Sequence, residues 1–62
     1  MYADEIEALR LVDYEGLNQE EAAGKMGISR GTVWRLLQSG RNKIISMVIE
    51  RKQLIVRKAE KV

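Results

Sequence analysis

Side chains that can hydrogen-bond to the edges of DNA bases recur at helical spacing between residues 30 and 42. Arginine pairs with two acceptors of guanine, and glutamine or asparagine pairs with adenine, in the major groove. One helix face in this segment carries Gly31, Trp34, Arg35, Gln38 and Asn42, with Arg30 at its N-terminal end. We therefore expect a base-reading surface formed by Arg30, Gly31, Trp34, Arg35 and Gln38.

Two members of this set have expected roles other than hydrogen bonding. Gly31 has no side chain, which would let the helix backbone approach DNA closely. Trp34 is the single tryptophan of the chain, and an exposed tryptophan usually serves a contact. That contact is either a thymine methyl group or sugar of DNA, or the partner subunit of a dimer.

Groups that position a protein on the DNA backbone are expected beside this surface. Free N–H groups at helix N-termini attract anions, and flanking basic side chains add charge. The expected phosphate-contacting residues are Asn18, Gln19, Lys25, Ser29, Thr32, Arg41 and Lys43. For Asn18 and Ser29 the alternative role is to cap a helix, and for Lys43 it is a solvated surface charge.

Three predicted helices must position these side chains. The first covers residues 4–14, because Ile6, Leu9 and Val12 recur at helical spacing, and Gly16 ends it. Ala8 and Leu11 widen the apolar face of this helix.

The second and third helices are joined by about three residues. Asn18 and Glu21 have the spacing of a capping box, which predicts a short helix over residues 19–26. Gly27 ends that helix in a left-handed conformation. Ser29 then caps a third helix that begins at residue 30 and runs to about residue 51. Gly40 within it predicts a bend or close packing.

The segment from Gln19 to Gln38 has the residue types of a helix-turn-helix, in which a short helix crosses a second one. Ala22 and Ala23 are small enough for a close crossing, and Gly27 suits the turn. The apolar residues expected beneath it are Met26, Ile28, Val33 and Leu36. For this segment alone, the alternative is a plain helical hairpin of a bundle.

Charge is distributed unevenly along the chain. Residues 1–28 contain two basic and seven acidic residues, which gives a net charge of −5. Residues 29–62 contain nine basic and two acidic residues, which gives a net charge of +7. A basic half is typical of a protein that faces a polyanion. The alternative is a solvated face that is basic without binding anything.

Eight apolar residues exceed what a three-helix core needs. They are Ile44, Ile45, Met47, Val48, Ile49, Leu54, Ile55 and Val56. Each stabilises by about 1.5–3 kcal/mol when fully buried, so we expect them to form a homodimer interface over residues 44–57. Residues 53–57 are expected as a strand across the two-fold axis, with a continued helix as the alternative. The alternative is that these apolar residues contact a different partner protein or belong to a larger assembly.

Nothing in the composition indicates chemistry beyond binding. His and Cys are absent, which argues against a zinc site and excludes disulfides, and the acids lie in helical turns that explain them. We expect no enzyme activity, cofactor or metal. No apolar run approaches the roughly 20 residues of a membrane span, and the N-terminus is acidic where a secretory signal is basic. We expect no membrane partner and a cytoplasmic location.

Three segments of the chain, 4–13, 15–23 and 26–30, together resemble a known family, and weaker similarity continues through Arg41, Lys43 and Leu54. The sequence is similar to an uncharacterised family of predicted DNA-binding proteins of bacteria and archaea. The helix-turn-helix of that family is related to the promoter-reading fourth region of sigma factors. Its members often carry Pro, Thr and Phe where this chain has Gly31, Thr32 and Val33. The resemblance thus implies the fold and transcription regulation, but not the target sequence.

These features predict an all-α fold and a single domain over residues 1–62. A three-helix core would contain the helix-turn-helix at residues 19–38, and a long recognition helix would extend into the dimerisation segment at 44–57. The expected function is sequence-specific binding of double-stranded DNA by a homodimeric transcriptional regulator. The alternative is a protein-interaction adaptor that docks on RNA polymerase or another DNA-bound partner.

Overall fold

A computed structural model of the chain describes residues 1–50, which form three α-helices and one π-helical turn. Helix α1 covers Ala3–Leu9 and passes directly into the π-helical turn Arg10–Tyr14. Helix α2 covers Gln19–Met26, and helix α3 covers Arg30–Glu50. Residues 1–50 contain no β-strand, so the predicted all-helical class is confirmed for this part of the chain. The strand or helix predicted for residues 53–57 lies outside the described residues.

Helix α2 has the ends that the sequence predicts. The Asn18 side chain accepts a hydrogen bond from the Glu21 backbone N–H at 2.8 Å, and the Glu21 carboxylate accepts one from the Asn18 N–H at 3.0 Å. Gly27 ends the helix with a φ of 69°, a conformation that costs a residue with a Cβ about 1 kcal/mol. The capping box and the glycine together confirm the predicted bounds of this helix.

Helix α3 begins three residues later, after a cap by Ser29. The Ser29 hydroxyl accepts a hydrogen bond from the Thr32 backbone N–H at 3.1 Å, and the two hydroxyl oxygens lie 2.8 Å apart. The helix then runs for 21 residues, a length of about 31 Å. The predicted start at Arg30 is therefore confirmed, and the helix continues to Glu50, the last described residue.

The first predicted helix differs from the structure in its second half. The Glu15 N–H donates to the Arg10 carbonyl at 2.9 Å, five residues back, which is the π-helical pattern. The Leu17 N–H donates to the Leu11 carbonyl at 3.0 Å, and Gly16 turns the chain with a φ of 80°. A uniform helix over residues 4–14 is therefore replaced by α-helix followed by one wider turn.

The core lies where the three helices meet and is built from small and medium-sized apolar side chains. Its buried residues are Ala8, Leu11, Ala22, Ala23, Val33 and Leu37, and the partly buried residues packed on them are Leu9, Val12, Leu17, Met26, Ile28 and Leu36. Ile6, which the apolar stripe assigns to the core, is half-buried outside this cluster. Helix α1 instead turns Glu5 inward, and that side chain is 2% exposed.

Gly40 allows helices α1 and α3 to approach closely. A Cβ atom at this position would lie 2.9 Å from Leu9 Cδ1 and 3.3 Å from Glu5 Cβ. Such distances are shorter than packed carbon atoms adopt. Of the two roles predicted for Gly40, the structure therefore shows close packing.

Candidate nucleic-acid interface

The outward face of the first half of α3 is open to solvent. All five predicted base-reading residues, Arg30, Gly31, Trp34, Arg35 and Gln38, are exposed, as is Asn42. Because Val33 and Leu37 are fully buried on the opposite side, the helix cannot rotate to hide this face without exposing its core residues. The sequence-predicted set is thus brought together on one surface.

A shallow groove follows this surface toward the second half of α3. Its lining is Trp34, Arg35, Gln38, Ser39, Arg41, Asn42 and Ile45. Trp34 stands at one end with 52% of its surface exposed, and Ile45 stands at the other with 55% exposed. We call the exposed residues 30, 31, 34, 35, 38 and 42 the reading face.

The predicted phosphate-contacting residues at the helix starts lie close to this face. A second groove is lined by Asn18, Gln19 and Glu20 of the α2 start, together with Val12 and Arg30. The Asn18 side chain and the Ser29 hydroxyl both accept backbone hydrogen bonds within their own helix. Their capping role is therefore shown, whereas their contact with phosphate stays a prediction.

The cations of α2 and α3 fall into two groups. Lys25, Arg30 and Arg35 are exposed and form no ion pair within residues 1–50. Arg41 and Lys43, in contrast, are each paired with a carboxylate from the first part of the chain. The structure thus separates Lys25 from Arg41 and Lys43, three cations that the sequence predicts together as phosphate-contacting residues.

Arg41 is held by the π-helical turn. Its Nη2 lies 2.7 Å from Asp13 Oδ1, and its Nε lies 3.0 Å from Asp13 Oδ2. This is the two-point geometry with which a guanidinium recognises a carboxylate or phosphate. The hydrogen bonds from Arg41, aided by its charge, lower the pKa of Asp13, and Asp13 in turn raises the pKa of Arg41.

Lys43 is held by the buried carboxylate of Glu5. Its Nζ lies 3.0 Å from Glu5 Oε2 and 4.6 Å from the centre of the Tyr2 ring. Glu5 also accepts hydrogen bonds from the Tyr2 backbone N–H at 2.7 Å and from the Ser39 hydroxyl. Burial alone would raise the pKa of Glu5, but the hydrogen bonds from Ser39, Tyr2 and Lys43 outweigh it and lower the pKa.

Sequence reasoning missed this polar cluster, in which Tyr2, Ser39 and Lys43 surround the buried carboxylate of Glu5. In the sequence, Glu5 looks like one of the acids that favour the first turn of a helix. The available signal is its spacing, because Glu5 lies three residues before Ala8 on the face that packs against α3. A glycine on the facing helix, at Gly40, is the second sign of close approach.

The predicted dimer interface divides by exposure. Ile44 and Met47 are half-buried against the rest of the chain, whereas Ile45, Val48 and Ile49 are exposed by 55%, 65% and 73%. We call these last three residues the apolar patch. Leu54, Ile55 and Val56 lie outside the described residues.

Within residues 1–50, no helix combines the length and apolar character that crossing a membrane requires. The same part of the chain contains no group of three acidic side chains placed to hold a metal ion.

Comparison with known proteins gives the chain a family. The family model described as "Protein of unknown function DUF134" matches residues 1–62. A UPF0251 protein of Pyrococcus horikoshii is 62% identical over 56 residues, which are 90% of this chain and 51% of that protein. A UPF0251 protein of Archaeoglobus fulgidus is 48% identical over 54 residues, covering 87% of this chain and 51% of the relative.

The similarity extends beyond the archaea. A UPF0251 protein of Aeromonas salmonicida is 45% identical over 58 residues, which are 94% of this chain and 57% of that protein. The chain spans about half the length of the curated relatives it matches. No solved structure matches it. The chain belongs to the DUF134/UPF0251 family, which occurs in archaea and bacteria.

Proposed function

We propose that this chain is a sequence-specific double-stranded-DNA-binding protein that acts as a homodimeric transcriptional regulator. In this proposal α2 and α3 form a helix-turn-helix over residues 19–38. The first half of α3, from Arg30, enters the major groove, where a helix of this kind contacts base edges. The proposal concerns the residues of this chain and not the remaining half of its relatives.

The observation that carries the proposal is that two arginines of the reading face are available to bind a ligand. Arg30 and Arg35 are exposed beside Gln38, and no carboxylate within residues 1–50 pairs with either arginine. Arginine suits guanine and glutamine suits adenine at the major-groove edge. A surface whose arginine donors form no ion pair within residues 1–50 therefore fits a polyanion with readable edges.

The ends of α2 and α3 support the same orientation on DNA. Gln19 and Arg30 line one groove, so the start of α2 lies beside the start of the reading helix. Helix N-termini and an exposed arginine together favour a phosphate at this place. Lys25 at the end of α2 adds a positive charge that forms no ion pair with any residue from 1 to 50.

The apolar patch supports a dimer. Ile45, Val48 and Ile49 are spaced by three and four residues along α3 and remain largely exposed. A second copy that covers the patch would bring two reading faces into one particle related by a two-fold axis. Such dimers bind half-sites about one turn of DNA, roughly 34 Å, apart.

The decisive experiment selects duplexes from a random library and then measures affinity by fluorescence anisotropy. Arg35→Ala is expected to relax discrimination at one base pair by about 1–3 kcal/mol, whereas Lys25→Ala should weaken all sequences equally and reduce the salt dependence by about one ion. The matched control is Arg10→Ala, because Arg10 is exposed but paired with Glu7 and Glu15. This control should leave specificity unchanged.

A different result would favour the adaptor function. If selection returns no preferred duplex and affinity falls little with salt, α3 does not read DNA. The apolar patch would then be the surface that docks on RNA polymerase or another DNA-bound partner, and its substitution would abolish that docking.

A further inference from the structure

We propose that Asp13 limits the affinity of the chain for DNA by holding Arg41 away from the phosphate backbone. This inference rests on the proposed function and names a contact that regulates it. Arg41 lines the groove that contains Trp34, Arg35 and Asn42. Its position on α3 therefore belongs to the edge of the reading face, although its guanidinium is turned to the π-helical turn.

The Asp13 carboxylate occupies the donors that a phosphate would use. Nε and Nη2 of Arg41 both donate to Asp13, at 3.0 and 2.7 Å. Carboxylate and phosphate bind a guanidinium through the same two-point geometry. A DNA phosphate and Asp13 therefore compete for one fork, and Asp13 adds a negative charge beside the approaching backbone.

The position of Arg41 along α3 gives the competition a geometric basis. Arg41 follows Arg35 by six residues, which is about 9 Å along the helix axis. The major groove is about 12 Å wide, so a helix that places Arg35 over base edges carries Arg41 toward the strand that borders the groove. Both residues of the Asp13–Arg41 pair are partly exposed, at 41% and 43%, so exchange requires no opening of the core.

Asp13→Asn tests the proposal because it removes the competing charge with little change in side-chain size. We expect the salt slope of DNA binding to steepen by about one ion, since Arg41 then engages a phosphate. The ratio of the variant's DNA affinity to that of the original chain should grow about threefold when the salt concentration is lowered from 200 to 50 mM. Asp13→Ser serves as a second neutral replacement if asparagine lowers the folded fraction in circular dichroism.

Glu15→Gln is the matched control for net charge. Glu15 follows the same turn, and its partner Arg10 stays paired with Glu7 at 2.7 Å. This variant removes one negative charge without releasing a cation of α3. Its salt slope should change by less than half as much as that of Asp13→Asn.

The double variant Asp13→Asn with Arg41→Gln should return the slope to that of the original chain, as a mutant cycle requires of an interacting pair. Equal gains from Asp13→Asn and Glu15→Gln, or a slope that Arg41→Gln does not reverse, would overturn the inference while leaving DNA binding established. Absence of duplex binding by the original chain and by every variant would instead reject the proposed function itself.

Discussion

Glu5 on α1 and Lys43 on α3 form an ion pair in which the carboxylate is 2% exposed and the ammonium side chain is 41% exposed. The carboxylate also accepts hydrogen bonds from the Tyr2 N–H and the Ser39 hydroxyl, so its donors come from the residue that caps α1 and from α3. A buried charge with this many donors stabilises a single arrangement of its neighbours. The pair thus fixes how α1 lies against the helix that carries the reading face.

Glu5→Gln is expected to lower the free energy of unfolding by about 1–2 kcal/mol, because hydrogen bonds to a charged group are lost inside the protein while Lys43 regains water. For a domain of this size the midpoint temperature falls by about 4–8 °C for each kcal/mol. Thermal unfolding followed by circular dichroism measures the effect. Glu7→Gln is the control, since Glu7 is exposed and pairs with an exposed arginine. Equal losses in both variants would contradict a special role for the buried carboxylate.

Stability should fall in acid because the carboxyl groups of Glu5, Glu7 and Asp13 have lowered pKa values in the folded chain, and Glu5 and Asp13 join different parts of it. Hydrogen bonds from Arg41 lower the pKa of Asp13, and those from Ser39, Tyr2 and Lys43 lower that of Glu5 against its burial. Their contribution is complete above the ordinary values of 3.8 and 4.5 and is lost as the pH falls through the lower folded values. Urea unfolding between pH 6 and pH 2 should show this loss, and its acid slope should be shallower in Glu5→Gln.

Two glycines of α3 should respond in opposite ways to alanine. A Cβ at Gly31 meets nothing within 4 Å, so Gly31→Ala gains helix propensity and stabilises by about 0.5 kcal/mol. A Cβ at Gly40 is blocked by Leu9 and Glu5, so Gly40→Ala destabilises by about 1 kcal/mol despite the same gain. If DNA approaches the backbone at Gly31, the more stable Gly31→Ala protein also binds duplex more weakly. Unfolding and anisotropy on the same samples separate the two effects.

Trp34 can report on its own contact because it is the single tryptophan. Because Trp34 shares its groove with Arg35 and Gln38, we predict that it contacts DNA rather than the partner subunit. We expect saturable quenching of its fluorescence when a selected duplex is added at fixed protein concentration. A spectral shift that instead follows protein concentration without DNA would assign Trp34 to the subunit interface.

Dimerisation should depend on the apolar patch. Val48→Lys removes an exposed apolar side chain and places like charges at a self-complementary interface, so sedimentation equilibrium should show monomers with unchanged helix content. Tyr14→Lys is the matched control, since Tyr14 is 87% exposed and belongs to the π-helical turn rather than to α3. Retention of the dimer by Val48→Lys, or a monomeric original chain, would contradict the predicted interface.

The sequence predicts the parts of the fold that local chemistry determines. Asn18, Glu21 and Gly27 bound α2 because a capping box and a left-handed residue act over three or four residues. The π-helical turn carries no such local pattern, so it was predicted as ordinary helix. Glu5 was missed for a related reason, because its burial follows from the close approach of α1 to Gly40, and that approach is a tertiary property.

The sequence predicts which positions form the candidate site, but not which of its basic side chains are paired with a carboxylate. Helical spacing alone places Arg35, Arg41 and Lys43 on α3, and all three appear equally available in the sequence. The acidic partners of Arg41 and Lys43 lie 28 and 38 residues away along the chain. Separating an unpaired arginine from a paired one therefore required the packing of α1 and the π-helical turn on α3.

The π-helical turn has a consequence for how chain length can vary in this family. A π-helical turn holds about one residue more than an α-helical turn. Deletion of one residue between Arg10 and Tyr14 would restore a regular helix and rotate everything before it by about 100° relative to α2. Glu5 and Asp13 could then no longer both face α3. A relative shortened here would have to hold its first helix with a different set of contacts, even if its second and third helices were identical.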